Sequence, residues 1–218
     1  MNSLTERVIL AGPAGALELA IDQPEGMARG IALIAHPHPL FGGTLDNKVV
    51  QTIARAFLSR GMICVRPNFR GVGQSTGSHD NGQGEQDDLV AAWSWAKTAF
   101  ASRCGPKRWA AGFSFGAVMT THIHAQWETL ASSWGLREDR PSRTVLVGLA
   151  AQRFEPSPID GSCRLIHGEC DEVVSLQSVF DFARKMKLPV TVLPGAGHFF
   201  HGQLIELREL VCQAVIDD

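Results

Sequence analysis

The sequence predicts an α/β fold: a mainly parallel, twisted sheet of about eight strands with helices on both faces. Three observations lead there. Short apolar runs alternate along the chain with stretches of 3.6-residue apolar periodicity. The run Gly30-Ile31-Ala32-Leu33-Ile34-Ala35 is apolar throughout, as a strand covered on both faces must be. Strand and helix alternation of this kind requires crossover connections, which in one sheet make neighbouring strands parallel. No segment repeats at a period of 20 to 50 residues and no low-complexity block interrupts the 218 residues, so the chain reads as one soluble domain, 1–218.

Each element follows from local pattern. Arg7 to Leu10 and Leu17 to Ile21 form a hairpin across Ala11-Gly12-Pro13-Ala14-Gly15. After the apolar strand, Asp46 to Arg60 is a helix whose Val49, Val50, Ile53, Ala54, Phe57 and Leu58 share one face, with Gly61 stopping it. Met62 to Arg66 is a strand, Asn68 to Gln83 a polar Gly-rich loop, and Glu85 to Phe100 a helix whose early acids suit its positive end. Further strands are expected at Arg108 to Phe113, Thr144 to Leu149, Arg164 to His167 and Val190 to Leu193. Helices fill the gaps at Phe115 to about Leu130, Leu176 to Lys187 and His201 to Ile216. Ligands of such a sheet collect at the carboxyl ends of its strands.

Composition excludes several classes. With 20 Lys and Arg against 22 Asp and Glu, the net charge of −2 offers no excess to neutralise phosphates, so no nucleic-acid partner is expected. The apolar runs are too short to span a bilayer and Met1 to Leu10 lacks the pattern of a secretory signal, so a cytoplasmic location away from membranes is expected. Five cysteines without CxxC spacing fit reduced thiols. His36-x-His38 and His122-x-His124 lack companions at metal-site spacing, and the second pair on a helix would point apart, so no metal is expected. Gly71-Val72-Gly73 is followed by no helix and no acid-tipped strand, which excludes a dinucleotide loop.

Two segments match G-x-S-x-G, around Ser75 and around Ser114. A nucleophilic serine of this kind needs a buried strand entering, small neighbours at the turn and a helix leaving. Ser114 has all three, with Trp109-Ala110-Ala111 before it, Gly112 and Gly116 flanking it and Ala117-Val118-Met119 after it. Ser75 is followed by loop composition and reads as a turn residue. A serine hydroxyl needs an imidazole to take its proton and an acid to orient that imidazole. Asp171 lies just past one strand and His198 just past the next, giving the order Ser, Asp, His. Glu169 and Glu172 compete for the acid, and His201, read as opening the last helix, competes for the base. An oxyanion needs backbone N–H donors. Phe115 follows the nucleophile, and of the loop 36–43 the prolines Pro37 and Pro39 have no N–H, leaving His38, preferred, or Leu40.

With these residues in place, the chain resembles the α/β-hydrolase superfamily, and within it a group of small lidless bacterial serine hydrolases. The resemblance rests on His-Pro-His-Pro-Leu-Phe-Gly-Gly (36–43), Asn-Phe-Arg-Gly-Val-Gly-x-Ser-x-Gly (68–77), Gly-Phe-Ser-Phe-Gly (112–116), His-Gly-x-x-Asp (167–171) and Gly-x-Gly-His-Phe-Phe (195–200). It implies Ser114 as nucleophile, Asp171 as orienting acid, His198 as base, and a structural role for the serine at 75. The chain departs from many members at Pro37, where they carry glycine. Such hydrolases often carry a cap after the sixth strand, and Ala150 to Ser162 is too short for one, so an open site is expected. Phe41, Phe115, Phe199 and Phe200 flank the site positions and are expected to wall an apolar pocket. The activity expected is hydrolysis of small or medium carboxylic esters without a cofactor. Thioesters, lactones and peptides suit the same groups, a serine in place of a carboxylate argues against a haloalkane dehalogenase, and a non-catalytic binding scaffold is the alternative outside enzymes.

Overall fold

The computed structural model describes residues 5–136 and 139–215. It opens on an antiparallel hairpin of β1 (Glu6–Gly12) and β2 (Gly15–Asp22). Gly12 pairs with Gly15, so the turn is Pro13 and Ala14 alone and shorter than expected. Gly15 closes it at φ 107°, open to glycine but not to most side chains.

β3 (Ala28–Ala35) leads through a long loop to α1 (Lys48–Ser59). The Asn47 side chain caps α1 by accepting from the Val49 and Val50 N–H groups. β4 (Met62–Pro67) is followed by the loop 68–82 and by α2 (Gln83–Ala99). Glu85 reaches back to accept from the Gly82 N–H at 2.8 Å, satisfying a free donor of the helix start. β5 (Cys104–Phe113) runs directly into α3 (Phe115–Ala125), and the short α4 (Trp127–Leu130) follows. The expected single helix to Leu130 is broken at Gln126, where φ −105° and ψ 14° leave the helical region. The break lets Trp127 turn inward, pack edge-on against Trp93 and donate its indole N–H to Leu136 O.

β6 (Arg143–Val147), β7 (Cys163–Gly168), α5 (Leu176–Met186), β8 (Val190–Leu193) and α6 (Leu204–Ala214) complete the chain. The last helix starts three residues later than expected. Phe200 at φ 51° and Gly202 at φ 77° are left-handed, and a right-handed helix cannot run through them. His201 is therefore in a turn and does not open the helix; the expected end at Ile216 lies outside the described residues.

Among the described residues eight strands join one sheet in the order β1-β2-β4-β3-β5-β6-β7-β8. β2 runs antiparallel to both neighbours, and every pairing from β4 through β8 is parallel. Alternate residues of the central strands face opposite cores. Ile31, Leu33 and Leu146 face the side of α2, α3 and α5, whereas Ala32, Ile34, Val145 and Val147 face the side of α1 and α6. This explains why the middle strands read as unbroken apolar runs. Among the described residues no helix is long and apolar enough to cross a membrane. The five cysteines are free, and burial pushes the Cys163 thiol up to about 12.

From β3 the chain passes first to β4 on one side and then to β5 on the other. The loops after β3 and β5 therefore diverge around a crevice at the carboxyl edge of the sheet, where open α/β sheets bind ligands.

Candidate active site

β5 ends in a turn that only small neighbours permit. Ser114 sits at φ 56° and ψ −116°, a strained conformation for a residue with a Cβ. Its N–H donates to Val147 O at 2.9 Å, tying the turn to the next strand. A Cβ on Gly112 would collide with the Gly116 carbonyl, and one on Gly116 with the Ala35 carbonyl. Strand, helix and neighbouring strand thus close around Ser114, which is 9% exposed.

The loops after β7 and β8 bring two further groups to it. His198 Nε2 lies 3.1 Å from Ser114 Oγ, and its Nδ1 lies 2.7 Å from Asp171 Oδ2. With Nδ1–H donating to the carboxylate, Nε2 is the free acceptor for the serine O–H. Asp171 Oδ1 accepts from the Val173 and Val174 N–H groups at 2.9 and 2.7 Å. Burial works against the Asp171 charge, but its bonds from His198 and from these two amides outweigh that and hold the carboxyl below its ordinary range. Glu169 and Glu172 accept instead from the Gly195 and His198 backbone N–H groups, so they lock the β8 loop against the β7 loop. His201 is exposed and its ring meets Phe199, not Ser114.

His167, at the end of β7, enters the sequence reading only as the first residue of His-Gly-x-x-Asp, with no role of its own. Fully buried, it donates Nε2–H to Val174 O at 3.0 Å, and Nε2 also lies 3.4 Å from Asp171 Oδ2. Burial, against the opposing pull of Val174 O and Asp171, keeps its imidazole neutral to lower pH than usual.

Two residues that line the cavity with Ser114 have backbone N–H groups without a partner. The Phe115 N–H is the first of α3 and has no intrahelical acceptor. Pro37 and His38 line the cavity above Ser114, and among the described residues the His38 N–H has no intramolecular acceptor. Leu40 fits less well than the sequence allowed: its N–H donates to His38 Nδ1 at 3.2 Å, and the residue does not line the cavity. His36 is spent on structure, with Nδ1 donating to Pro37 O and Nε2 accepting from the Phe69 N–H. Burial lowers its pKa to about 4. Among the described residues no group of three or more His, Cys, Asp or Glu side chains could hold a metal.

The cavity over Ser114 measures about 360 Å³. Phe41, Phe115 and Phe199 line it, as expected from the sequence, together with Phe154, Val173 and Val174. Phe200 does not. It is 0% exposed and packs in the core on the α1 and α6 side, so its expected place in the pocket wall is corrected. The left-handed backbone at Phe200 sends successive aromatic rings to opposite destinations.

Phe154 and Arg153 also went unread in the sequence. They lie in the segment after β6, which is short and without a helix, leaving the site without a cap. Phe154 stacks on the His38 ring at 5.5 Å and meets Phe115 at 5.1 Å. The usable signal was position: any segment leaving the carboxyl end of a central strand borders the site.

The second serine motif has a different fate. Ser75 Oγ donates to Asn68 O and accepts from the Glu18 N–H, and Asn68 bridges Glu18 to the Leu45 N–H. Ser75 therefore pins the loop after β4 against β2.

Comparison with known proteins agrees with this architecture. Residues 16–132 match the family model described as X-Pro dipeptidyl-peptidase (S15 family). An α/β serine hydrolase homologue from Coxiella burnetii is 36% identical, with 96% of this chain and 97% of that one covered at a TM-score of 0.81. A lidless α/β serine hydrolase from Xanthomonas campestris is 32% identical, covering 99% and 95% of the two chains at a TM-score of 0.82. A putative α/β hydrolase from Agrobacterium tumefaciens is 30% identical over 95% and 94%, with a TM-score of 0.79. With over half its length matched by that family model and near-complete overlap with homologues above 30% identity, the chain belongs to the S15 family and to the α/β serine hydrolases.

Proposed function

We propose that the protein hydrolyses carboxylic esters of small or medium acyl size through an acyl-enzyme on Ser114. The observation that carries this reading is the unbroken hydrogen-bond chain from Ser114 Oγ through His198 to Asp171, in a cavity also lined by Phe115 and His38, whose backbone N–H groups are unengaged.

Ser114 Oγ attacks the ester carbonyl as its proton passes to His198 Nε2. Asp171, kept ionised by its three hydrogen bonds, stabilises the imidazolium that forms. The carbonyl electron pair moves onto oxygen, where the N–H groups of Phe115 and His38 receive it. Collapse of the intermediate expels the alcohol, which takes the proton from His198. Water then attacks the acyl-enzyme by the same route, releasing the carboxylic acid and restoring the serine. These steps consume only ester and water.

The family model's name raises peptide hydrolysis as a second reading. A dipeptide released from an N-terminus carries an α-amino cation, which calls for a carboxylate in the pocket. Among the described residues lining the cavity there is no Asp or Glu, and the formal charge present is that of Arg153. That balance favours esters over X-Pro peptides.

The test is labelling with a fluorophosphonate, which phosphonylates activated serines, followed by mass spectrometry of the modified peptide. Modification at Ser114, together with release of p-nitrophenol from p-nitrophenyl butyrate, is the expected result. An unlabelled protein would sink the reading.

A further inference from the structure

Of the side chains around the cavity, Arg153 is the permanently charged one, and the hydrolytic steps leave it unused. The other walls are mostly apolar, the Asn47 side-chain oxygen is spent on the cap of α1, and no carboxylate is among them. Arg153 is exposed, and among the described residues its guanidinium has no hydrogen-bond or ion-pair partner. Five N–H donors in a planar fork thus stand free beside an apolar pocket.

The position of this residue is fixed by its neighbours. Gln152 bridges to the β7 loop twice, donating to Val173 O at 2.9 Å and accepting from the Ser175 N–H at 3.1 Å. That loop also carries Asp171. On the other side Phe154 is held between His38 and Phe115. The Arg153 and Phe154 N–H groups both donate to Ala150 O, closing a tight turn. The backbone at 153 is therefore clamped between the acid loop and the oxyanion loop, and its side chain belongs to the cavity rim. Arg153 and Phe154 also wall a neighbouring cavity of about 620 Å³, which leaves room for the remainder of a larger substrate.

We propose that Arg153 selects esters whose acyl part carries a carboxylate, binding it through charge-assisted hydrogen bonds while the apolar walls take the carbon chain. This rests on the hydrolytic reading above and adds the substrate's charge to it. A guanidinium matches a carboxylate with two parallel N–H bonds, so the contact is directional as well as electrostatic. At an exposed rim it is also screened by salt.

The experiment compares mono-p-nitrophenyl glutarate with neutral p-nitrophenyl valerate, an ester of similar length. The expected result is a kcat/KM about tenfold higher for the glutarate ester at low salt, falling in 0.5 M NaCl, consistent with roughly one charge-assisted contact. In Arg153→Ala the preference is expected to vanish, in Arg153→Glu to invert, and in Arg153→Lys to survive in part. Equal turnover of both esters, a preference for the valerate, or a preference that persists in Arg153→Ala overturns the proposal while leaving the esterase reading intact. Failure to turn over either ester also overturns it. Fluorophosphonate labelling of Ser114 in the same sample then separates the two failures: a labelled serine preserves the hydrolase assignment and an unlabelled one removes both.

Discussion

At Ser114 the backbone is strained and the side chain is short, and both matter for the chemistry proposed. Ser114→Ala is expected to lower kcat/KM for p-nitrophenyl butyrate by roughly 10⁴-fold or more, with thermal melting little changed. Asp171→Asn is expected to cost roughly 10⁴-fold in kcat near neutral pH, because an amide can favour the wrong imidazole tautomer. Its remaining oxygen can still accept from Val173 and Val174, so the loop is retained. Activity within a few fold of the native protein in either variant would contradict the assigned roles. Ser114, Asp171 and His198 were legible because each follows a strand with a distinctive local spacing. Arg153 was not, since one arginine in a polar loop carries no pattern. Phe200 misled because adjacency in sequence to His198 and Phe199 does not fix where a ring points once the backbone turns left-handed.

The elbow between β5 and α3 shows how an element's ends depend on its packing. Gly112 lies under the first turn of α3, where its missing side chain lets helix and strand approach. Gly112→Ala is expected to destabilise the fold by about 1–3 kcal/mol and to displace Ser114, since the colliding atom is backbone and cannot rotate away. A urea midpoint and an esterase rate both equal to those of the native protein would refute this. Most strands and helices were readable to within a few residues from periodicity, caps and glycine stops. Gln126 and the delayed start of α6 were not. There, burial of Trp127 and the turn carrying Phe200 into the core override a local sequence that favours helix.

For the whole molecule, burial of histidine makes stability depend on pH. His36, His38, His122, His124 and His167 all have pKa values lowered chiefly by burial. As the pH falls below 6.5, the unfolded chain takes up protons that the folded one refuses. The stabilisation is thus complete above 6.5 and is lost as the pH descends toward 4. For His36, with a folded value of about 4, the loss is on the order of 3 kcal/mol. A urea midpoint lower at pH 5 than at pH 7.5 is expected, and equal midpoints would contradict the burial argument. The sequence by itself determined the strand and helix order, the parallel sheet and the three residues at strand ends, because these follow from spacings of a few residues and from general rules of chain connection. The tertiary structure alone decided which N–H groups stay unengaged, which aromatic rings face the cavity and which charge borders it. Those depend on side-chain directions in loops distant along the chain, and such directions are set only when the loops pack together.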